Sequence, residues 1–115
     1  MATKPAPIPK LNLTTDRTPT EATVRCTGEI TLETTELLRT TVKPLLSQNK
    51  IVALNLANVS YMDSSGLGTI VGLLASAKAA SCQLKLINLN QRLKELLSIT
   101  RLNELMVDPA FWSAR

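Results

Sequence analysis

The stretch Met62-Asp63-Ser64-Ser65-Gly66-Leu67-Gly68 holds the residues of this chain best placed to do chemistry. Two adjacent hydroxyls stand beside a carboxylate and are followed by glycines. An apolar run, Ile51-Val52-Ala53-Leu54-Asn55-Leu56, leads toward it, and apolar residues at helical spacing leave it at Leu67, Ile70, Val71, Leu73, Leu74 and Ala77. This pattern predicts the end of a buried strand, a turn, and the start of a buried helix. Asp63 or Ser64 would cap that helix, because a short side-chain oxygen accepts a bond from a free N–H two or three residues on. Either serine then lies beside the first-turn N–H groups, where the helix dipole favours negative charge. A hydroxyl there can carry a phosphate with little electrostatic penalty from the backbone. Capping is enough to explain Asp63 and Ser64; Ser65 is harder to dismiss, because the cap needs only one of the three.

Other chemistries lack their parts. The chain has no histidine, so a Ser-His-Asp triad is impossible. A Ser–Lys pair is the one hydrolytic arrangement left, with Lys78, Lys85 or Lys94 as base. No Gly-Lys-Ser/Thr ending marks a P-loop. Cys26 and Cys82 stand singly inside apolar, strand-like runs and read as buried thiols, not as a disulfide or metal pair. A Cys/His metal site lacks ligands. The expectation is a protein without catalytic residues, metal or cofactor.

The net charge of +4 comes from lysines and arginines scattered between Lys4 and Arg115, and Tyr61, Phe111 and Trp112 are the only aromatics. Direct nucleic-acid binding wants a denser basic patch; a solvated basic surface that steers an acidic partner fits better. No run approaches the roughly 20 apolar residues of a membrane span. No apolar signal region follows the first lysine. The expected setting is the cytoplasm.

The elements that must position Ser65 follow from periodicity. Residues 1–10 carry Pro5, Pro7 and Pro9 and read as a flexible arm. Leu11-Asn12-Leu13 is a short edge strand, residues 16–20 a turn, and Ala22 to Gly28 the next strand. Gly28-Glu29-Ile30-Thr31 is a connection, with Thr31 as cap of a helix running to about Gln48. Leu37, Leu38, Val42, Leu45 and Leu46 form its inward face, and Pro44 should kink it or open its last turn. Lys50 to Leu56 is a strand buried on both faces, as in a parallel sheet, and residues 57–61 are a loop. The helix after Ser65 runs to about Ala80. Gly66, Gly68, Gly72, Ala75 and Ser76 make it small-sided, at a cost of roughly 1 kcal/mol per glycine relative to alanine. Close packing of that face on a sheet or partner would offset the cost. A strand from Gln83 to Asn88 follows, then a helix from Gln91 to Ile99 capped by Asn90. The last apolar stretch, Thr100 to Val107, reads as a turn and short strand, with residues 108–115 a tail. Strands alternate with helices after Gly28, so the class is α/β with a single sheet, in one domain spanning about 11–107.

These residues resemble the sulfate-transporter and anti-sigma-factor-antagonist (STAS) domain family in its stand-alone bacterial form. The carriers are Gly28-Glu29-Ile30 after the second strand, the strand containing Asn55-Leu56, the run from Tyr61 to Gly68, and the strand Leu84 to Asn88 before the helix with Leu96. The match runs from about Leu11 to Val107. The resemblance implies a small mixed β-sheet with helices packed mainly on one side.

It also implies a binding protein switched by phosphorylation. In that family an anti-sigma factor, itself an ATP-dependent serine kinase, binds the unmodified antagonist and thereby releases a sigma factor. Phosphorylation then ends the complex until a serine phosphatase reverses it. The family's acceptor is the second hydroxyl of the motif, which is Ser65 here. The surrounding partner contacts map to Gly28, Glu29, Thr31, Asp63, Ser64, Gly66 and Leu67. Thr31 departs from the acidic residue that the family commonly places after Gly-Glu-Leu/Ile, a difference that bears on partner choice more than on fold. The alternative is a non-switching module of the same fold, a scaffold or small-ligand binder in a signalling assembly.

Overall fold

The computed structural model describes residues 10–99. The expected arm up to Pro9, the apolar stretch from Thr100 to Val107 and the tail lie outside the described residues. Alternating apolar and β-branched residues carry β1 (Leu11–Arg17) and β2 (Glu21–Ile30), which pair antiparallel along their shared length. Helix α1 (Thr35–Gln48) leads to β3 (Ile51–Met62), then α2 (Ser64–Ala79), β4 (Gln83–Ile87) and α3 (Gln91–Ile99). The sheet order is β1-β2-β3-β4, with β2, β3 and β4 parallel. It is a mixed α/β sheet, as the family resemblance implies. Both crossovers step the same way along the sheet, so connections of one hand put α1 and α2 on the same face. There the two helices pack against each other.

That face holds the core. Val24 and Cys26 of β2, Val52, Leu54 and Leu56 of β3, and Leu84 and Leu86 of β4 are buried against Leu38 and Val42 of α1 and Ile70 and Leu73 of α2. The opposite face of β3 is less covered than a strand buried on both sides: Ala53 is buried, whereas Ile51 and Asn55 are half-buried. At the far edge Asn90 caps α3 by accepting the Leu93 N–H at 2.8 Å, and its amide donates to the Val59 carbonyl at 3.1 Å.

Several boundaries differ from the sequence expectation, each for a non-local reason. The edge strand extends to Arg17 because β2 offers partners throughout, and Asp16 pairs with Arg25 at 3.0 Å. The turn between them shrinks to residues 18–20. Gly28 to Ile30 belong to β2, not to a connection. Residues 57–61, expected as a loop, continue β3. Two register shifts explain why alternation missed them: between Arg25 and Thr27, and again between Gly28 and Glu29, β3 carries one extra residue relative to β2. Each extra residue resets the alternation, so Leu56, Val59 and Met62 all reach the core at a spacing of three.

Helix α1 begins later than Thr31 would set it. Thr34 is the N-cap position, and its side chain makes no bond to the helix start. The Thr34 hydroxyl instead donates to the Glu29 carbonyl at 2.9 Å and accepts the Thr31 N–H at 2.9 Å, shaping the connection itself. Leu38, Val42, Leu45 and Leu46 are buried, but Leu37 is 45% exposed. It sits a full helical step from Leu38, outside the stripe that faces the sheet. Pro44 lies within a helix assigned continuously to Gln48, on its exposed side. Its missing N–H leaves the Thr40 carbonyl without its helical donor, and both residues are exposed.

Candidate functional site

A single residue joins β3 to α2. Asp63 has extended backbone, and its carboxylate closes the first turn of the helix by accepting the Gly66 N–H at 2.9 Å. Asp63, not Ser64, is therefore the cap. Its second oxygen accepts the Leu32 N–H at 3.2 Å, and its own N–H donates to the Ile30 carbonyl at 3.2 Å. One residue thus ties the β2–α1 connection to the β3–α2 turn. Both lie beyond the carboxyl ends of adjacent parallel strands, where open α/β sheets place their ligands.

Gly66 makes this junction possible. A Cβ built there would stand 2.4 Å from the Ile30 carbonyl oxygen and 2.9 Å from side-chain atoms of Ile30 and Met62. Gly28 has a comparable duty near the same end of β2, where it pairs with the start of β1. Its φ is +120°, and a Cβ would fall 2.1 Å from the Lys10 carbonyl oxygen. Glu29 holds the same segment by donating its N–H to Lys10 at 2.7 Å. Gly28 and Gly66 are thus explained by close backbone approach. Leu67 is 7% exposed and belongs to the core, so it supports the junction from beneath.

The surface of the junction is formed by Thr31, Leu32, Ser64 and Ser65. Ser64 is exposed and Ser65 half-buried. Ser65 is the second residue of α2 and keeps its carbonyl bonded to the Thr69 hydroxyl at 2.9 Å. It opens onto a cleft of about 350 Å³ between α1 and α2. Leu32 stands at the same cleft and is 72% exposed, an apolar side chain presented to solvent. Thr35, Arg39 and Lys43 line the wall contributed by α1; Gly68 and Gly72 line the wall contributed by α2.

The small side of α2 therefore does something other than pack closely. At Gly68 and Gly72 a Cβ would meet nothing within 4 Å. Their lack of side chains widens the cleft, and Gly66 alone of the three is a packing glycine. Sequence reasoning missed Leu32, Arg39 and Lys43. The signal for Leu32 was an apolar residue inside a polar connection; for the cations it was their four-residue spacing with Thr35, which places all three on one helix face. Nothing local said that this face looks at Ser65.

The two cysteines lie away from the site, in β2 and just before β4. Both are buried, and burial pushes the Cys26 thiol up to about 12. Among the described residues no helix is long and apolar enough to cross a membrane.

Comparison with known proteins gives a consistent picture. A family model described as STAS domain matches residues 12–113. The anti-sigma-B factor antagonist of Bacillus subtilis (strain 168) is 35% identical over 96 residues, covering 84% of this chain and 88% of that protein. The anti-sigma factor antagonist SpoIIAA in its unphosphorylated form superposes with a TM-score of 0.70 over 81% of this chain and 84% of that one, at 20% identity. The Bacillus cell fate determinant SpoIIAA in the phosphorylated form gives 0.66 over 81% and 86%, also at 20% identity. At that identity the structural likeness is one of fold.

Proposed function

The chain belongs to the STAS domain family, and we propose that within it this protein is an anti-sigma factor antagonist whose binding is switched at Ser65. In this reading the unmodified protein docks an anti-sigma factor in the cytoplasm and frees a sigma factor. The anti-sigma factor acts as serine kinase on Ser65, and a serine phosphatase restores the hydroxyl. The protein itself carries out no catalysis.

The observation that supports the reading most is the setting of Ser65: a half-buried hydroxyl in the first turn of α2, beside the exposed Leu32 and a cap whose carboxylate is already bonded twice. Thr31, Leu32, Ser64 and Ser65 form a contact surface held by backbone bonds, so docking needs little ordering of the chain. A phosphate adds about −1.5 to −2 charges at neutral pH. An interface that covered Ser65 would have to bury that charge, and an uncompensated buried charge costs several kcal/mol. The free domain bears it easily, since the first helical turn favours an anion by about 0.3–1 kcal/mol at an exposed site. Binding is lost while the fold persists.

Titration calorimetry of Ser65→Asp and Ser65→Ala against the cognate anti-sigma factor tests this. Ser65→Asp should melt near the wild-type temperature and fail to bind; Ser65→Ala should fold and stay bound irrespective of kinase and ATP. Mass spectrometry after kinase treatment should place phosphate on Ser65 and leave Ser64 bare. Binding of Ser65→Asp as tight as that of the wild type would overturn the switch and favour a non-switching scaffold or small-ligand module of the same fold.

A further inference from the structure

We propose that the cleft between α1 and α2 is a phosphate-binding site, and that its ligand is the phosphate carried by Ser65, held by Arg39 and Lys43. This rests on Ser65 being the modified residue. It adds a second element to the switch: the phosphate does not simply project into solvent but is drawn across to α1.

Three features of the cleft carry the inference. First, its geometry is convergent. Ser65, Gly68 and Gly72 succeed one another at three- and four-residue steps along one face of α2, and Thr35, Arg39 and Lys43 at four-residue steps along α1. Both faces line the same space of about 350 Å³. Second, the α2 wall is open. Nothing lies within 4 Å of where a Cβ at Gly68 or Gly72 would stand, so this wall leaves room in the cleft that Ser65 also lines.

Third, the charges are available. Lys43 takes part in none of the described ion pairs. Arg39 donates to Glu36 at 2.8 Å, but both side chains are well exposed, and such a pair is weak. A phosphate dianion offers the guanidinium a stronger, bidentate partner. Among the described residues no carboxylate lines the cleft. Glu36 lies on the Arg39 turn, and Asp63 is occupied by the Leu32 and Gly66 N–H groups. Glu33, on the connection, is paired with Lys10. The two cations on α1 therefore face a phosphate with little competition. The consequence is a phosphate withdrawn from solvent and from an approaching phosphatase, so the unbound state persists.

The test uses full-length protein with phosphoserine incorporated at position 65 during synthesis, so that no kinase is required. The phosphorus NMR pH titration of the wild type is compared with that of Arg39→Gln/Lys43→Gln. Nearby cations favour the dianion, so the wild-type midpoint should lie about half a unit or more below that of the double variant. The double variant should return toward the free phosphoserine value of about 6. A broad-specificity phosphatase should release phosphate from it about two to five times faster. Arg39→Lys/Lys43→Arg, which keeps both charges, should restore the wild-type midpoint. Equal midpoints and equal release rates in wild type and double variant would overturn the proposal. Inorganic phosphate titrated into the unmodified protein should perturb Arg39 and Lys43 only weakly. Saturation below millimolar concentration would assign the cleft to a free anion instead and overturn the tethered ligand. The phosphoserine protein is also titrated against the anti-sigma factor. Retained binding together with a lowered midpoint would remove the switch while leaving the cleft assignment intact.

Discussion

The Asp63 carboxylate accepts the backbone N–H of Leu32, 31 residues earlier in the chain, at 3.2 Å. Its other oxygen caps α2 through Gly66. The residue two positions before the proposed acceptor is therefore the clamp that holds the acceptor helix against the loop presenting Leu32. Asp63→Ala should lose both bonds and cost about 1–2 kcal/mol, the range of a lost N-cap. Asp63→Asn, which keeps one acceptor oxygen, should cost less. Urea midpoints rank the three proteins, and amide exchange should quicken at Leu32 and Gly66 in the alanine variant.

The α2 glycines should separate by sign. Gly66→Ala forces a methyl to within 2.4 Å of the Ile30 carbonyl oxygen, and the shift this demands should destabilise by about 1–3 kcal/mol. Gly68→Ala adds a methyl into open space within a helix, and should stabilise by up to about 1 kcal/mol. Thermal melts of the two variants, moving in opposite directions from the wild type, are the expected outcome.

Ile70 and Leu74 read alike in sequence as inward residues of α2, yet Ile70 is fully buried and Leu74 only partly so. Ile70→Ala should cost about 2–5 kcal/mol. Leu74→Ala should cost distinctly less, and Leu73→Ala, at a buried position, should resemble Ile70→Ala. Chemical denaturation with a common slope checks the ranking.

Cys26 supplies a pH dependence. Burial raises its thiol from 9.0 to about 12. An unfolded chain loses this proton above about pH 9 while the folded protein keeps it. The unfolded state then binds fewer protons, so stability is full below pH 9 and falls between 9 and about 12. The slope from this group is about 1.4 kcal/mol per pH unit. Cys82 is shifted in the same direction, by desolvation. Stability measured from pH 8 to 10.5 should fall less steeply in Cys26→Ala than in the wild type.

Much of the fold was legible in the residues. Val52, Leu54 and Leu56 announced a core strand, Leu38, Val42, Leu45 and Leu46 an inward helix face, and Asn90 the cap of α3. The turn at Asp63 was legible too, since a cap acts within three residues of itself. These features are local: period, propensity and capping depend on neighbours along the chain. Tertiary structure decided the rest. The continuation of β3 through residues 57–62 came from pairing with β2 and from two bulges that reset its alternation. The exclusion of Leu37 from the core came from how α1 lies on the sheet. The separate duties of Gly66 and Gly68 came from the nearness of Ile30 to one and of nothing to the other. The meeting of Ser65 with Leu32, Arg39 and Lys43 came from two crossovers that set α1 beside α2. Sequence marks which face of an element is apolar; what a polar face looks at depends on where the packing of the whole sheet puts the next helix.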